Sequence, residues 1–297
     1  MWAWAIRTKR VGRSTGLAVA GVDHIKMRTT PDLQTFLAVA DAARRHHLPL
    51  TAHPVAPPEQ LIKAGLGSVE HFLSYPPLNN MTDSERRALL RKMTKSGLNM
   101  SNTMTNVTGL ISTPYAEGKR ILEDTNGALD PRRKYLCGYL IQDWREQVEE
   151  NKDSPYEELR KELPNIYRDF REMREEGVPY LAGTDAGVVF IYPGFSLHDE
   201  LVTLVRDLGF TPMEALRIAT DGIPRFYGET AGYGAVEPGS AADLVLLDAD
   251  PLADIHNTSR VAAVSLRGKW LDRAKLDRLL RQVEQAAQAN CRELGNR

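Results

Sequence analysis

Cysteine is nearly missing from this chain. Cys137 and Cys291 are the only two in 297 residues, too few and too far apart for a disulfide framework, which argues for a reducing compartment. Long apolar runs are missing as well, so no stretch reads as a bilayer-spanning segment. Nor is there an excess of charge of one sign. Lys and Arg number 38 against 39 Asp and Glu, a formal net charge of -1, which leaves no field to attract nucleic acid or an anionic membrane. Met1 to Arg10 places Trp2 and Trp4 ahead of its positive charges and lacks the apolar core of a secretory signal. Repeats and low-complexity tracts are absent. What is left is ordinary globular material, 42% apolar and 26% charged, with a cytoplasmic location expected and either one large or two smaller domains allowed by length.

The most informative stretch is Leu48 to His71, LPLTAHPVAPPEQLIKAGLGSVEH. Leu48, Leu50 and Ala52 alternate with Pro49 and Thr51 as a short buried strand does, and the run stops at His53-Pro54. Pro57 and Pro58 suit the first turn of a helix, Leu61, Ile62 and Ala64 give it an apolar side, and Gly65 closes it. A second strand, Ser68 to His71, also finishes in histidine. In a parallel α/β barrel the C-terminal strand ends form the catalytic face, so both imidazoles belong to one mouth. A lone histidine at a strand end is more often a packing or hydrogen-bonding residue than a ligand. Two on consecutive strands call for further ligands at equivalent positions. Upstream, His24, Lys26 and Arg28 share one face of a strand-like run, with Lys26 at its end. Downstream, the apolar run Val178 to Leu181 closes on Asp185 between glycines. A lysine beside a carboxylate is the bland alternative for Lys26.

These motifs, VDHIK, TAHP, SVEHF and LAGTDAG, followed by MEALRIAT and EPGSAADLVLLDADPL, resemble the metal-dependent amidohydrolase superfamily, in its imidazolonepropionase-like and prolidase-like branch. The resemblance runs from about Gly21 to Asp272. It implies an α/β fold, a partial (β/α)8 TIM-type barrel comprising strands four to eight, with C-terminal strands of a β-sandwich. It also implies a lysine carboxylated by carbon dioxide on strand four, histidines ending strands five and six, and an aspartate ending strand eight. Carried over, the metal ligands are Lys26, His53, His71 and Asp185, with Asp185 also the catalytic acid-base. The family's opening strands and its His-x-His pair have no counterpart in this sequence, so the resemblance implies an N-terminally truncated chain with at most half of a binuclear site. His46-His47 follows Arg44-Arg45 at a helix end and reads as solvated charge.

The implied organisation is an irregular or altered segment over residues 1–20, a barrel half over 21–230 carrying a helical insertion at 108–177, sandwich return strands over 231–272, and a C-terminal helix over 273–297. Thr30-Pro31 reads as a helix start, with Leu33, Phe36, Leu37, Ala40 and Ala43 on one face. Thr82 to Glu85 reads as a capping box for a helix ending at Gly97, and Leu98 to Met104 as a strand whose Asn102, Thr103 and Thr105 either touch substrate or bond within the loop. Ser154 to Glu157 and Thr211 to Glu214 open further capped helices. The exposed-looking Trp144 and Tyr156 face either a pocket or the insertion's own small core. His198 either serves substrate or packs its helix. Ala242 to Leu247 and Val261 to Leu266 read as strands, and Leu276, Leu279, Leu280 and Val283 as one side of the last helix.

Amide hydrolysis at neutral pH needs a better nucleophile than water, which a divalent metal supplies. Imidazole and carboxylate ligands suit one or two zinc ions, with manganese or iron also fitting. The resemblance implies a small amide or dipeptide as substrate, hydrolysed at a C–N bond. Unpaired barrel edges call for a complementing N-terminal half or a homo-oligomer. The competing reading is a non-catalytic fragment or scaffolding subunit that binds no metal.

Overall fold

The computed structural model describes residues 16–17, 19–71, 76–152, 156–229 and 232–294. The segment over residues 1–15 and the Ser154-Pro155 part of the second capping box lie outside them, as does the side chain of Tyr156.

Short apolar runs become strands, and the capped runs between them become helices. β1 (Ile25–Met27), β2 (Leu50–Ala52), β3 (Ser68–Glu70) and β4 (Asn99–Ser101) lie side by side in that order, all parallel. Ile25 sits opposite Leu50, Thr51 opposite Ser68, and Val69 opposite Met100. Parallel neighbours need crossovers. α1 (Leu33–Arg45) supplies the first, α2 (Pro58–Ala64) the second, and α3 (Pro76–Asn79) with α4 (Asp83–Ser96) the third. Beyond β4, the predicted strand ending at Asp185 is reduced to one parallel bridge, Tyr180 to Met100. Met100 donates its N–H to the Pro179 carbonyl and Leu181 donates to the Met100 carbonyl, each at 2.8 Å. The fold is therefore α/β with a parallel sheet, which does not close into a barrel among the described residues.

The helix boundaries follow from local chemistry, with one correction. The cap of α1 is Asp32, whose carboxylate accepts the Thr35 N–H at 2.7 Å. Thr30, the predicted cap, instead donates its hydroxyl to the Asp32 carbonyl, because the helix starts two residues later than the Thr-Pro signal suggests. α2 opens on Pro57-Pro58 and ends at Gly65, whose φ of 71° spares a side chain the left-handed strain. α4 carries the full Thr82/Glu85 capping box and ends at Gly97.

Gly67 leads into β3 and is held there by close neighbours. A Cβ at this position would lie 2.9 Å from Phe226 Cε2 and 3.2 Å from the Leu50 carbonyl oxygen, the same oxygen that accepts the Gly67 N–H. Gly67→Val is expected to destabilise the protein by about 1–3 kcal/mol, the usual cost of overpacking. A lower urea midpoint at unchanged m is the result that checks this.

Farther along come α5 (Met104–Asn106), continuing into a π turn over Val107–Ile111, then α6 (Tyr115–Glu123), α7 (Gly138–Glu150), α8 (Tyr156–Lys161), α9 (Leu163–Glu175), α10 (Ser196–Arg206), α11 (Pro212–Thr220) and α12 (Gly222–Phe226). An antiparallel sheet of β5 (Leu244–Leu247), β6 (Val261–Leu266) and β7 (Lys269–Leu271) precedes α13 (Arg273–Leu294). By contact the chain forms two compact units. One holds residues up to 102 with 164–182 and 222–229. The other holds 103–163, 183–221 and 230 onward.

In the first unit the sheet is lined by buried Ala52, Val69 and Met100, with Phe36, Leu61, Leu90 and Phe170 buried on the helices. The second unit has its own core of Leu122, Leu136, Trp144, Val148, Val189 and Tyr192. Trp144, read from the sequence as exposed-looking, is wholly buried and meets Tyr192 edge-on at 5.2 Å and Phe190 at 5.8 Å. It belongs to a core that the insertion shares with the loop after Asp185, one helical turn from buried Val148. Asp243 accepts the Arg267 N–H at 2.6 Å and so closes the turn between β6 and β7. On α13 only part of the predicted apolar side is covered: Leu279 and Val283 stay exposed. No helix of the described residues is long and apolar enough to cross a membrane.

Candidate active site

In the first unit, strand pairing brings two histidines together. The His53 N–H donates to the Met27 carbonyl at 3.0 Å, which ties the end of β2 to β1. The His71 N–H donates to the Ser101 carbonyl at 2.9 Å, which ties the end of β3 to β4. Their backbones thus fix where the rings begin. The ring centroids lie 4.8 Å apart at an interplanar angle of 84°, and both residues are half-buried.

Lys26, expected at the strand end, is the middle residue of β1, which runs one residue further to Met27, and its exposed side chain lies between buried Ile25 and Met27. Its Nζ lies 4.0 Å from Glu70 Oε2, so the carboxylate pairing that the sequence left open is present. His24, placed by period on the same face, instead meets the Tyr227 hydroxyl at 3.0 Å. His46 and His47 are exposed at the end of α1.

These positions can be tested against a divalent cation. Two adjoining imidazoles on neighbouring strands present the nitrogen donors that zinc favours. An ammonium presents none, so Lys26 fits only once it has become an anion. Among the described residues no three His, Cys, Asp or Glu side chains gather closely enough to hold a cation by themselves.

Asp185 belongs to the second unit and is exposed there. Its φ of 55° is left-handed, a conformation that aspartate tolerates better than most residues. Asn106 Nδ2 donates to Asp185 Oδ2 at 3.2 Å and to Thr103 Oγ1 at 3.1 Å. Thr105 donates its hydroxyl to the Thr184 carbonyl at 3.0 Å, next to the aspartate in sequence. Downstream, Gln147 on α7 donates to the Gly187 carbonyl at 3.1 Å and accepts the Val189 N–H at 3.0 Å. The aspartate is therefore bracketed by bonds on both sides. Asn102, Thr103 and Thr105 are all buried. His71, Thr103 and Asp185 share left-handed φ values of 54°, 46° and 55°, each a strain of the kind that collects at functional sites.

Beneath this turn lies Glu200 on α10, 1% exposed. Its two oxygens accept the Met104 N–H at 3.0 Å and the Thr105 N–H at 2.8 Å. Burial pushes its carboxyl from 4.5 up to about 7, against the pull of those N–H groups toward the charged form. A carboxyl raised on folding favours the folded state most below its unfolded value, and that contribution is lost as pH rises through about 7. His198, two residues earlier, meets Thr258 Oγ1 at 3.1 Å, and burial lowers its imidazole. Packing against the C-terminal segment is therefore the contact His198 makes.

A recess of about 390 Å³ opens beside Thr105 and Thr108, floored by Phe190 and Tyr192 and edged by Arg132 and Asp199. The Arg132 guanidinium lies 4.4 Å over the Tyr192 ring and pairs with Asp130 at 2.8 Å and Asp199 at 2.6 Å. Burial pushes the Tyr192 phenol up to about 12. Asn106 and Glu200 are the residues that reading the sequence missed. Asn106 sits in a polar loop like many others, and Glu200, among the charges of LHDEL, reads as solvated.

The model described as "Amidohydrolase family" matches residues 8–271. No curated protein sequence matches the chain. Among solved structures, bottromycin amidohydrolase is 22% identical with a TM-score of 0.68, over 96% of this chain and 63% of its own. A putative prolidase from Bifidobacterium longum is 22% identical with a TM-score of 0.64, over 95% and 66%. A Xaa-Pro dipeptidase with bound methionine in its active site is 21% identical with a TM-score of 0.61, over 91% and 59%. At such identities the likeness is one of fold. This chain spans less than two thirds of the length of each of the three.

Proposed function

The chain belongs to the amidohydrolase family, and from that premise we propose that it is a metal-dependent hydrolase of C–N bonds in small amides or dipeptides, built on strands four to eight of a TIM-type barrel. The observation that carries the reading is the His53–His71 pair, two rings 4.8 Å apart at the ends of adjacent parallel strands. C-terminal strand ends are where this architecture places its chemistry.

The proposed ligands are Lys26, His53, His71 and Asp185. A divalent cation, zinc ahead of manganese or iron, lowers the pKa of water to about 7 when bound and polarises a scissile carbonyl. His53 and His71 contribute neutral ring nitrogens. Lys26 contributes oxygen once its amine has added carbon dioxide, and as an anion it would then give up its pairing with Glu70. Asp185 takes a proton from the attacking water and hands it to the leaving nitrogen, so one water and one amide become a carboxylic acid and an amine.

The test is metal content followed by turnover. Purified protein given zinc and bicarbonate, then desalted, is expected to retain about one cation per chain or more by elemental analysis. It is expected to hydrolyse some member of a panel of dipeptides and acyl amino acids, and a chelator should abolish that turnover. Protein that takes up no cation under any loading condition would overturn this reading in favour of a non-catalytic role.

A further inference from the structure

Glu200 is the one fully buried carboxylate of the second unit among its described residues, and nothing in the proposed chemistry uses it. A buried acid is costly unless its oxygens are engaged. Here both are, by two successive backbone N–H groups of α5. That helix is only three residues long and begins after Thr103 in a left-handed conformation. Its first amides have no carbonyl one turn upstream to bond. The Glu200 carboxylate replaces that missing turn with charge-assisted bonds, the stronger kind. The residue that follows the clamped pair is Asn106. Its amide nitrogen reaches Thr103 Oγ1 and Asp185 Oδ2. A carboxylate only accepts, so the NH2 end, not the oxygen, has to face Asp185.

We propose that Glu200 and Asn106 act as a positioning pair for Asp185: Glu200 fixes the turn over Met104 and Thr105, and the turn aims the Asn106 amide at the Asp185 carboxylate. The geometric part stands on the second unit alone. Its meaning for turnover rests on the hydrolase reading given above. Neither residue reacts. Their effect is to hold an acid-base group in one orientation, and a misplacement of about 1 Å at such a group costs on the order of 100-fold in rate.

Glu200→Gln separates this role from simple packing. It keeps the volume, but its NH2 meets one of the two donors head-on and that bond is lost. Two measurements on the full chain are needed. The first is the side-chain amide signals of Asn106 and the hydrogen-exchange rates of Met104 and Thr105 by NMR. The second is steady-state kinetics on the substrate found in the panel above. The expected result is faster exchange at Met104 and Thr105, displaced Asn106 side-chain signals, and kcat lower by about 10- to 100-fold with KM within about threefold. Asn106→Ala attacks the same link from the other end and serves if Glu200→Gln fails to fold. It is expected to match the kcat loss while leaving Met104 and Thr105 protected. Unchanged Asn106 signals in folded Glu200→Gln protein overturn the pair whatever the activity. Displaced signals in a protein that binds no metal and hydrolyses nothing leave the pair standing and overturn the hydrolase reading instead.

Discussion

Replacing either His53 or His71 with alanine is expected to strip the bound cation and to lower hydrolysis by about 1,000-fold. The magnitude follows from the several kcal/mol that a metal contributes to such a reaction, at tenfold per 1.36 kcal/mol. Each imidazole is one of few donors, so losing one ends tight binding rather than weakening it in proportion. The double variant should therefore be no worse than either single one, as happens when residues act as a unit. Stability should hardly change. Both residues are half-buried, and the bonds that fix their position are made by backbone N–H groups, which alanine keeps. His46→Ala and His47→Ala provide the control, since both are exposed at the end of α1 and should leave metal content and rate unchanged. Elemental analysis and kinetics on the four single variants decide the matter. If His53→Ala retains its cation and its rate, the ring pair is ordinary packing.

What could be read from the sequence was what is decided within a few residues. Strand, helix and strand from Leu50 to Glu70 lie where alternation, paired prolines and Gly65 put them. The capping boxes at Thr82 and Thr211 form as written because both partners lie three residues apart. The His53–His71 pair was legible for a related reason: consecutive parallel strands separated by one short helix must lie side by side. Errors appear where the deciding partner is remote. Asn106 meets an aspartate 79 residues away, and Glu200 meets the Met104 amide across 96. No periodicity records such contacts. Trp144 stayed open between a pocket and a core because its neighbours in sequence are polar, while the rings that bury it come from the loop after Asp185. The run ending at Asp185 is apolar enough for a strand, but it leaves the sheet after Tyr180, and the left-handed Asp185 cannot continue a ladder.

The largest loss of stability is expected from Arg86→Met, about 3–5 kcal/mol, the cost of removing one partner from a buried ion pair. Arg86 on α4 is 4% exposed. Its Nε and Nη2 bond the two oxygens of Glu172 on α9 at 2.9 and 3.0 Å, Nη1 reaches the Met81 carbonyl at 3.0 Å, and Nη2 also bonds Asp83 at 2.5 Å. Asp169 lies 4.0 Å from Nε. Glu172 holds the guanidinium above its ordinary range. The clamp joins the helix before β4 to the helix before the Tyr180 bridge, so it fixes both approaches to that edge of the parallel sheet. The Arg87 and Arg91 pairs with Glu175 and Glu176 run alongside and contribute less, being nearer the surface than the Arg86 pair.

Without Arg86, two buried carboxylates face each other with less opposing charge. Burial already raises the Asp169 carboxyl against the pull of Arg168 and Arg86. Removing Arg86 raises it further. An acid raised on folding favours the folded state at low pH and loses that contribution as pH climbs through its folded value. The deficit of Arg86→Met should therefore be greatest near neutrality and shrink as pH falls toward the carboxylate range. Adding Glu172→Leu to Arg86→Met removes much of the stranded charge, and the double variant is expected to be more stable than Arg86→Met alone. Urea unfolding of both variants at neutral and mildly acidic pH tests this. If Arg86→Met costs the same at every pH and Glu172→Leu does not rescue it, the side chain stabilises these helices by packing and not by charge.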